Sequence, residues 1–141
     1  MNTNAQILTQ VKKWIIYAEE DLCLAKHSLK LESGCPFRLT AYHAQQCAEK
    51  YLKAFLVYNQ IDFPYTHSII RLLEICSSVN QFPELKEAEE LTPFAITTRY
   101  PDEDDDVNKE EAVIAIELAE PVKIQLQKNY QKFFNRRSQI G

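Results

Sequence analysis

The stretch FRLTAYHAQQCAEKYLKAFLVY, Phe37 to Tyr58, decides the fold. It holds no Gly or Pro and is rich in Ala, Leu, Gln, Glu and Lys, so good helix propensity coincides with a two-faced pattern and predicts one helix. At about 100° per residue, Thr40, Ala44, Cys47, Ala48, Tyr51, Phe55 and Tyr58 gather on one side, an apolar stripe wide enough for a core face. On the opposite side Arg38, Tyr42, Gln45, Gln46, Glu49 and Lys53 form a polar row that ends on Leu56. A plain solvated face tends toward Glu and Lys pairs. A Tyr, two adjacent amides and an Arg are instead expected to line a wet cleft or an interface.

Working outward, the segment from about Asn4 to Leu31 repeats apolar residues at spacings of three and four: Ile7, Leu8, Val11, Trp14, Ile15, Ala18, Leu22, Ala25 and Leu29. It reads as a first amphipathic helix, ended at Ser33-Gly34-Cys35-Pro36 by a Gly cap and a Pro that blocks continuation. So short a connection makes the two helices antiparallel neighbours. After Tyr58, Pro64 forces an extended step, and Thr66 is expected to cap a third helix through Ile69 and Leu72 to Cys76, with His67 in its first turn. A fourth helical piece starts at Pro83, is expected to break at Thr92-Pro93, and resumes as FAITTRY before Pro101. The like-charge run DEDDD, Asp102 to Asp106, reads as a solvated loop. Asn108 and Glu111 form a capping box for a last helix, in which Pro121 predicts a kink.

The expectation is a single domain over 1–141, with a core over about 4–134 and a basic tail at 135–141. Hydrophobic residues make up 45% of the chain and charged residues 26%, ordinary values for a soluble protein. The only two glycines are Gly34 and Gly141, which disfavours tight hairpins and excludes a Gly-rich phosphate loop. No run approaches the roughly 20 apolar residues of a membrane span, and the N-terminus lacks the regions of a signal peptide. A cytoplasmic location follows as an expectation. Cys23, Cys35, Cys47 and Cys76 form no C-x-x-C pair and read as free, buried thiols. A net charge of −4 is unlike a general nucleic-acid binder, though a local basic patch is compatible with it.

Three strings in this order, AYHAQQCAEKYLKAFL from Ala41 to Leu56, THSIIRLLE from Thr66 to Glu74 and RYPD from Arg99 to Asp102, resemble the HEPN family. That resemblance implies an all-α, up-and-down bundle of four to five helices, similar to the helical domain that accompanies nucleotidyltransferases. It implies a homodimer with a cleft at its interface and a minimal nucleotidyltransferase as partner, as in a toxin–antitoxin pair. Many members of the wider superfamily are metal-independent ribonucleases marked by Arg, four to six residues, then His. The string from Arg38 to His43 matches that spacing. In such chemistry His takes the proton of a ribose 2′-hydroxyl and Arg holds charge on the phosphate. Positions five apart on a regular helix diverge by roughly 140°, so a dimer or a helix end would have to reunite these two.

Three functions stay open at this point: a nucleotide- or RNA-binding partner of a nucleotidyltransferase, a ribonuclease using Arg38 and His43, and a purely structural dimerisation module. For binding, Lys50 and Lys53 together with Gln45, Gln46 and Glu49 suit a nucleotide: the ammonium groups suit phosphate, the amides a base edge, and Tyr42 stacking. The alternative is that Glu49 and Lys53 pair at i,i+4 and the amides cross-link helices or subunits. His67 near a helix start suits an anion or local hydrogen bonding. The resemblance puts Arg99 and Tyr100 near the central helix, as caps or as nucleotide contacts. Cys23 with His27 and His43 with Cys47 have a spacing that zinc uses, but nothing makes the pairs meet, so neither metal nor cofactor is expected.

Overall fold

A computed structural model describes residues 3–95 and 106–140, with the backbone alone from residue 131. The described residues form four α-helices and one 3₁₀ segment: α1 (Asn4–Ser28), α2 (Phe37–Tyr58), α3 (Ile69–Cys76), the 3₁₀ helix Pro83–Ala95, and α4 (Lys109–Ile140). They build the all-α bundle, with no strand among the described residues. Helix α2 is its axle. It packs against each of the other four elements, whereas α1 packs chiefly on α2 and only marginally on α4.

That placement follows from composition. Ala41, Ala44, Ala48 and Ala54 are buried on α2 and let neighbouring helices approach closely, while Tyr51, Leu52, Phe55 and Leu56 fill the space between them. Each fully buried Leu of this kind contributes about 1.5–3 kcal/mol by leaving water. The apolar stripe of α1 meets it through Val11, Ala18, Leu22 and Ala25, and α4 through Ala115, Ala119, Val122 and Leu126. The core is one continuous cluster.

Several local expectations are corrected. Helix α1 stops at Ser28 with Leu29 as its cap, so Gly34 does not cap it. The Ser28 hydroxyl bonds the Ala25 carbonyl at 2.7 Å and meets Thr40 Oγ1 at 2.5 Å, which draws the helix end onto α2. Gly34 lies further on in the connection with a left-handed backbone, at φ +70°. Helix α3 is capped by Ser68, whose hydroxyl accepts from Arg71 N at 3.2 Å, and Thr66 only receives Ser68 N at 3.1 Å. His67 therefore lies before the helix and not in its first turn. The segment after Pro83 is a succession of 3₁₀ turns that passes through Thr92-Pro93 without breaking. Such a long 3₁₀ run is uncommon. Thr92 fastens it by accepting Ile69 N at 3.2 Å. The box of Asn108 and Glu111 is formed, at 2.8 and 3.3 Å, and α4 continues through Pro121 to Ile140.

The four cysteines are free, but only Cys47 and Cys76 are buried; Cys23 is exposed and Cys35 half-buried. No helix among the described residues is long and apolar enough to cross a membrane. The RYPD string with Arg99 and Tyr100, the rest of FAITTRY beyond Ala95 and the DEDDD run up to residue 105 lie outside the described residues.

Candidate functional site

Most of the polar row of α2 is turned away from water, while Arg38 and Tyr42 at its start are half-buried. Gln45, Gln46, Glu49 and Lys53 are buried, and Glu49 is only 3% exposed. These four residues line no wet cleft within the chain; they take the alternative course, an i,i+4 pair and amides that cross-link elements. A buried charge is costly unless paired and hydrogen-bonded, and here each oxygen of Glu49 has a partner. Its Oε1 lies 2.8 Å from His67 Nδ1 and accepts from Gln45 Nε2 at 3.3 Å, while its Oε2 accepts from Lys53 Nζ at 3.2 Å. Gln45 Nε2 also donates to the His67 carbonyl at 2.8 Å, and Gln46 donates to Gln45 Oε1 at 2.8 Å. The ammonium of Lys53 lies 5.7 Å from the ring centres of both Trp14 and Phe63, a cation held between two π faces.

The network reaches the surface at one place. The His67 side chain is 42% exposed. Beside it the ring of Tyr65, 90% exposed, stands edge-on with centroids 5.1 Å apart. His67 Nδ1 is committed to the buried carboxylate, which leaves Nε2 for an outside group.

A second carboxylate–imidazole pair lies on the α1–α2 seam. Asp21 Oδ1 is 2.8 Å from His43 Nδ1, and Asp21 Oδ2 accepts from Lys50 Nζ at 2.5 Å. Tyr42 stands edge-on to His43 at 5.1 Å, and Lys50 lies 6.0 Å from the centre of the Tyr17 ring. The two sites thus share one composition: a largely buried carboxylate, a His bound through Nδ1, a Lys on the other oxygen, and a Tyr against the imidazole. Arg38 lies on the same unbroken helix as His43, five residues earlier, so the two diverge by roughly 140° within one chain. His43 also helps line a cavity of about 310 Å³ whose other walls include Leu24, Leu31, Pro36 and Leu39, an apolar surrounding ill suited to a phosphate.

Of the residues singled out in the sequence, the structure brings together Gln45, Gln46, Glu49, Lys53 and His67 in one network, and Tyr42, His43 and Lys50 in another. Asp21, Trp14, Phe63 and Tyr65 were missed. Asp21 carried a readable signal: it falls between Ala18, Leu22 and Ala25 on the apolar stripe of α1, where a carboxylate needs a partner. Tyr65 carried none. Neither buried cysteine suits nucleophilic work, because burial raises the Cys47 thiol far above its ordinary range and pushes Cys76 up to about 12. Among the described residues, no three His, Cys, Asp or Glu side chains are grouped so as to hold a metal ion.

Comparison with solved structures finds the same bundle elsewhere. Protein TT1696 from Thermus thermophilus is similar with a TM-score of 0.69 and 26% identity, over 84% of this chain and 97% of that one. ST0689, an archaeal HEPN homologue, is similar with a TM-score of 0.67 and 25% identity, over 84% of this chain and 96% of that one. No curated protein matches the chain. The family model of the HEPN domain matches residues 11–128, a span that contains α2, the Glu49 network and the Asp21 pair together. By that match, this chain belongs to the HEPN domain family.

Proposed function

We propose that the protein binds a nucleotide or a short RNA where the Glu49 network reaches the surface, and that it does so as a homodimer partnered with a nucleotidyltransferase in a toxin–antitoxin pair. The observation that carries the binding reading is His67, half-exposed yet fixed at Nδ1 by a buried carboxylate, with the exposed Tyr65 ring against it. A fixed imidazole offers Nε2 to a phosphate oxygen or a ribose hydroxyl without first losing rotational freedom. An exposed ring offers a base its π face, worth about 1–3 kcal/mol per stacked base. Gln45 and Lys53 act from inside: one fixes the loop by its bond to the His67 carbonyl, and the other balances the charge of Glu49. The support for the dimer and for the nucleotidyltransferase is family membership.

Isothermal titration of purified protein with ATP, GTP and short RNAs tests the binding. Heat that disappears in His67→Ala supports it, and no heat from any of these ligands sinks it. Co-purification with a nucleotidyltransferase encoded beside it tests the partnership.

One observation favours the ribonuclease as a second reading. The Asp21–His43 bond holds an imidazole in one tautomer, as a general base requires. RNA cleavage lost in both His43→Ala and Asp21→Asn, with the fold intact, would support it; equal cleavage, or equal absence of cleavage, in wild type and His43→Ala removes it.

A further inference from the structure

Among the described residues, the outer face of α1 is one that the fold leaves uncovered. Because α1 lies at the edge and packs on α2, the row Thr9, Lys13, Ile16, Tyr17, Glu20, Leu24 and His27 points away from the core and is exposed throughout. Ile16, Tyr17 and Leu24 are each more than half exposed, although they are large and apolar. Isolated exposed apolar residues need no explanation, but three on one stripe of one helix make a surface suited to a partner.

The charges flanking this apolar centre say which partner. Lys13 lies just before Ile16 and Tyr17, and Glu20 just after, on the same face. Neither has a hydrogen-bond or ion-pair partner among the described residues. They are seven residues apart, roughly 10 Å along the helix, too far to pair with each other. A face with a cation at one end and an anion at the other is complementary to itself when turned end for end.

We infer that a second copy of this chain docks on it, α1 antiparallel to α1 about a two-fold axis between Ile16 and Tyr17. In that register Ile16 meets the Tyr17 of the other copy, and Lys13 meets Glu20 twice, once on each side of the axis. Apolar residues would also face each other if the helices slid so that Tyr17 met Leu24. That register brings the two Glu20 carboxylates together across the axis and leaves Lys13 facing Ser28, so the charges select the first one. Tyr17 is already held for the contact, since Lys50 lies against its ring.

This surface rests on the dimer proposed above and gives that dimer its contact. Sedimentation velocity over a dilution series tests it, with circular dichroism to confirm that each variant is folded. The wild type is expected to dimerise more weakly as salt rises. Lys13→Glu and Glu20→Lys should each weaken the dimer by about tenfold or more, because each places like charges opposite at two points. Combined in one chain they should restore it, because the pairs re-form with their signs exchanged. Ile16→Asp, at the centre, should abolish it. A wild type that is monomeric at every concentration overturns the dimer and this surface alike. A wild-type dimer that Ile16→Asp and the single charge changes leave untouched overturns the surface and leaves the dimer standing. Failure of the double exchange to restore what the single changes weaken overturns the antiparallel register.

Discussion

His67 Nδ1 and Glu49 Oε1, eighteen residues apart in the chain, meet at 2.8 Å, one side chain half in water and the other almost wholly out of it. That contact joins the buried polar interior of α2 to the only place where its network reaches the surface among the described residues. It makes Glu49 a structural residue first. Lys53, itself buried, depends on it for an ion pair.

Glu49→Ala is therefore expected to destabilise the chain by about 3–5 kcal/mol, because it leaves the Lys53 charge buried and unpaired. Removing both charges, as Glu49→Leu with Lys53→Met, should lie closer to wild type than Glu49→Ala alone. Urea unfolding followed by circular dichroism measures both. An unfolding free energy unchanged by Glu49→Ala contradicts this network.

Tyr65 should behave in the opposite way. Its ring is exposed, so Tyr65→Ala should change stability by no more than about 0.5 kcal/mol. If a base stacks there, the same substitution should weaken nucleotide or RNA binding by about 5- to 150-fold. Parallel melting and titration separate the two effects. Binding at full strength in Tyr65→Ala takes the ring out of the site.

The end of α2 holds a strained position. Gln60 sits at φ 55°, a left-handed backbone that L residues other than Gly adopt at a cost, and it closes the helix with Ile61 N bonding the Leu56 carbonyl at 2.9 Å. Gln60→Gly should relieve about 1–2 kcal/mol of that strain and lose about 0.4–1 kcal/mol to a freer unfolded chain, a net stabilisation of up to about 1.5 kcal/mol. A higher Tm is the expected result, and a lower one would falsify the account of this cap.

Alkaline pH should unfold the protein early. Burial pushes the Cys76 thiol up from 9.0 to about 12, and raises Cys47, Tyr51 and Tyr130 further. For Tyr51 the nearby Glu19 carboxylate, which accepts from its hydroxyl at 3.4 Å, adds to burial. These acids stay neutral in the fold where the unfolded chain would ionise them. Their contribution is complete below about pH 9 and is lost as pH rises, for Cys76 across the interval from 9.0 to about 12. Each such group can take away at most about 1.4 kcal/mol per pH unit. Denaturation curves at neutral pH and above about pH 10 should show the loss. Cys76→Ala should show a shallower slope.

The sequence by itself determined the helices that carry the bundle. The bounds of α2 were legible because propensity, the absence of Gly and Pro, and an apolar stripe agree within one continuous segment. The box of Asn108 and Glu111 was legible because both partners lie within one turn. The caps of α1 and α3 were misjudged, the second where two residues competed. Thr66 and Ser68 both offer a hydroxyl, and only the path of the chain from Phe63 chooses between them. The i,i+4 pair of Glu49 and Lys53 and a cross-linking role for the amides were legible as one of two readings of the row, but the burial of Gln45, Glu49 and Lys53 was not. Their side of α2 is polar by composition, and it lies inside because α1 brings Trp14 and the loop before α3 brings Phe63 and His67 over it. Those partners come from distant parts of the chain, so hydrogen bonds that need them belong to the tertiary structure and to no local pattern. Asp21 and His43 are a further case: each was visible, but only the packing of α1 on α2 made them a pair.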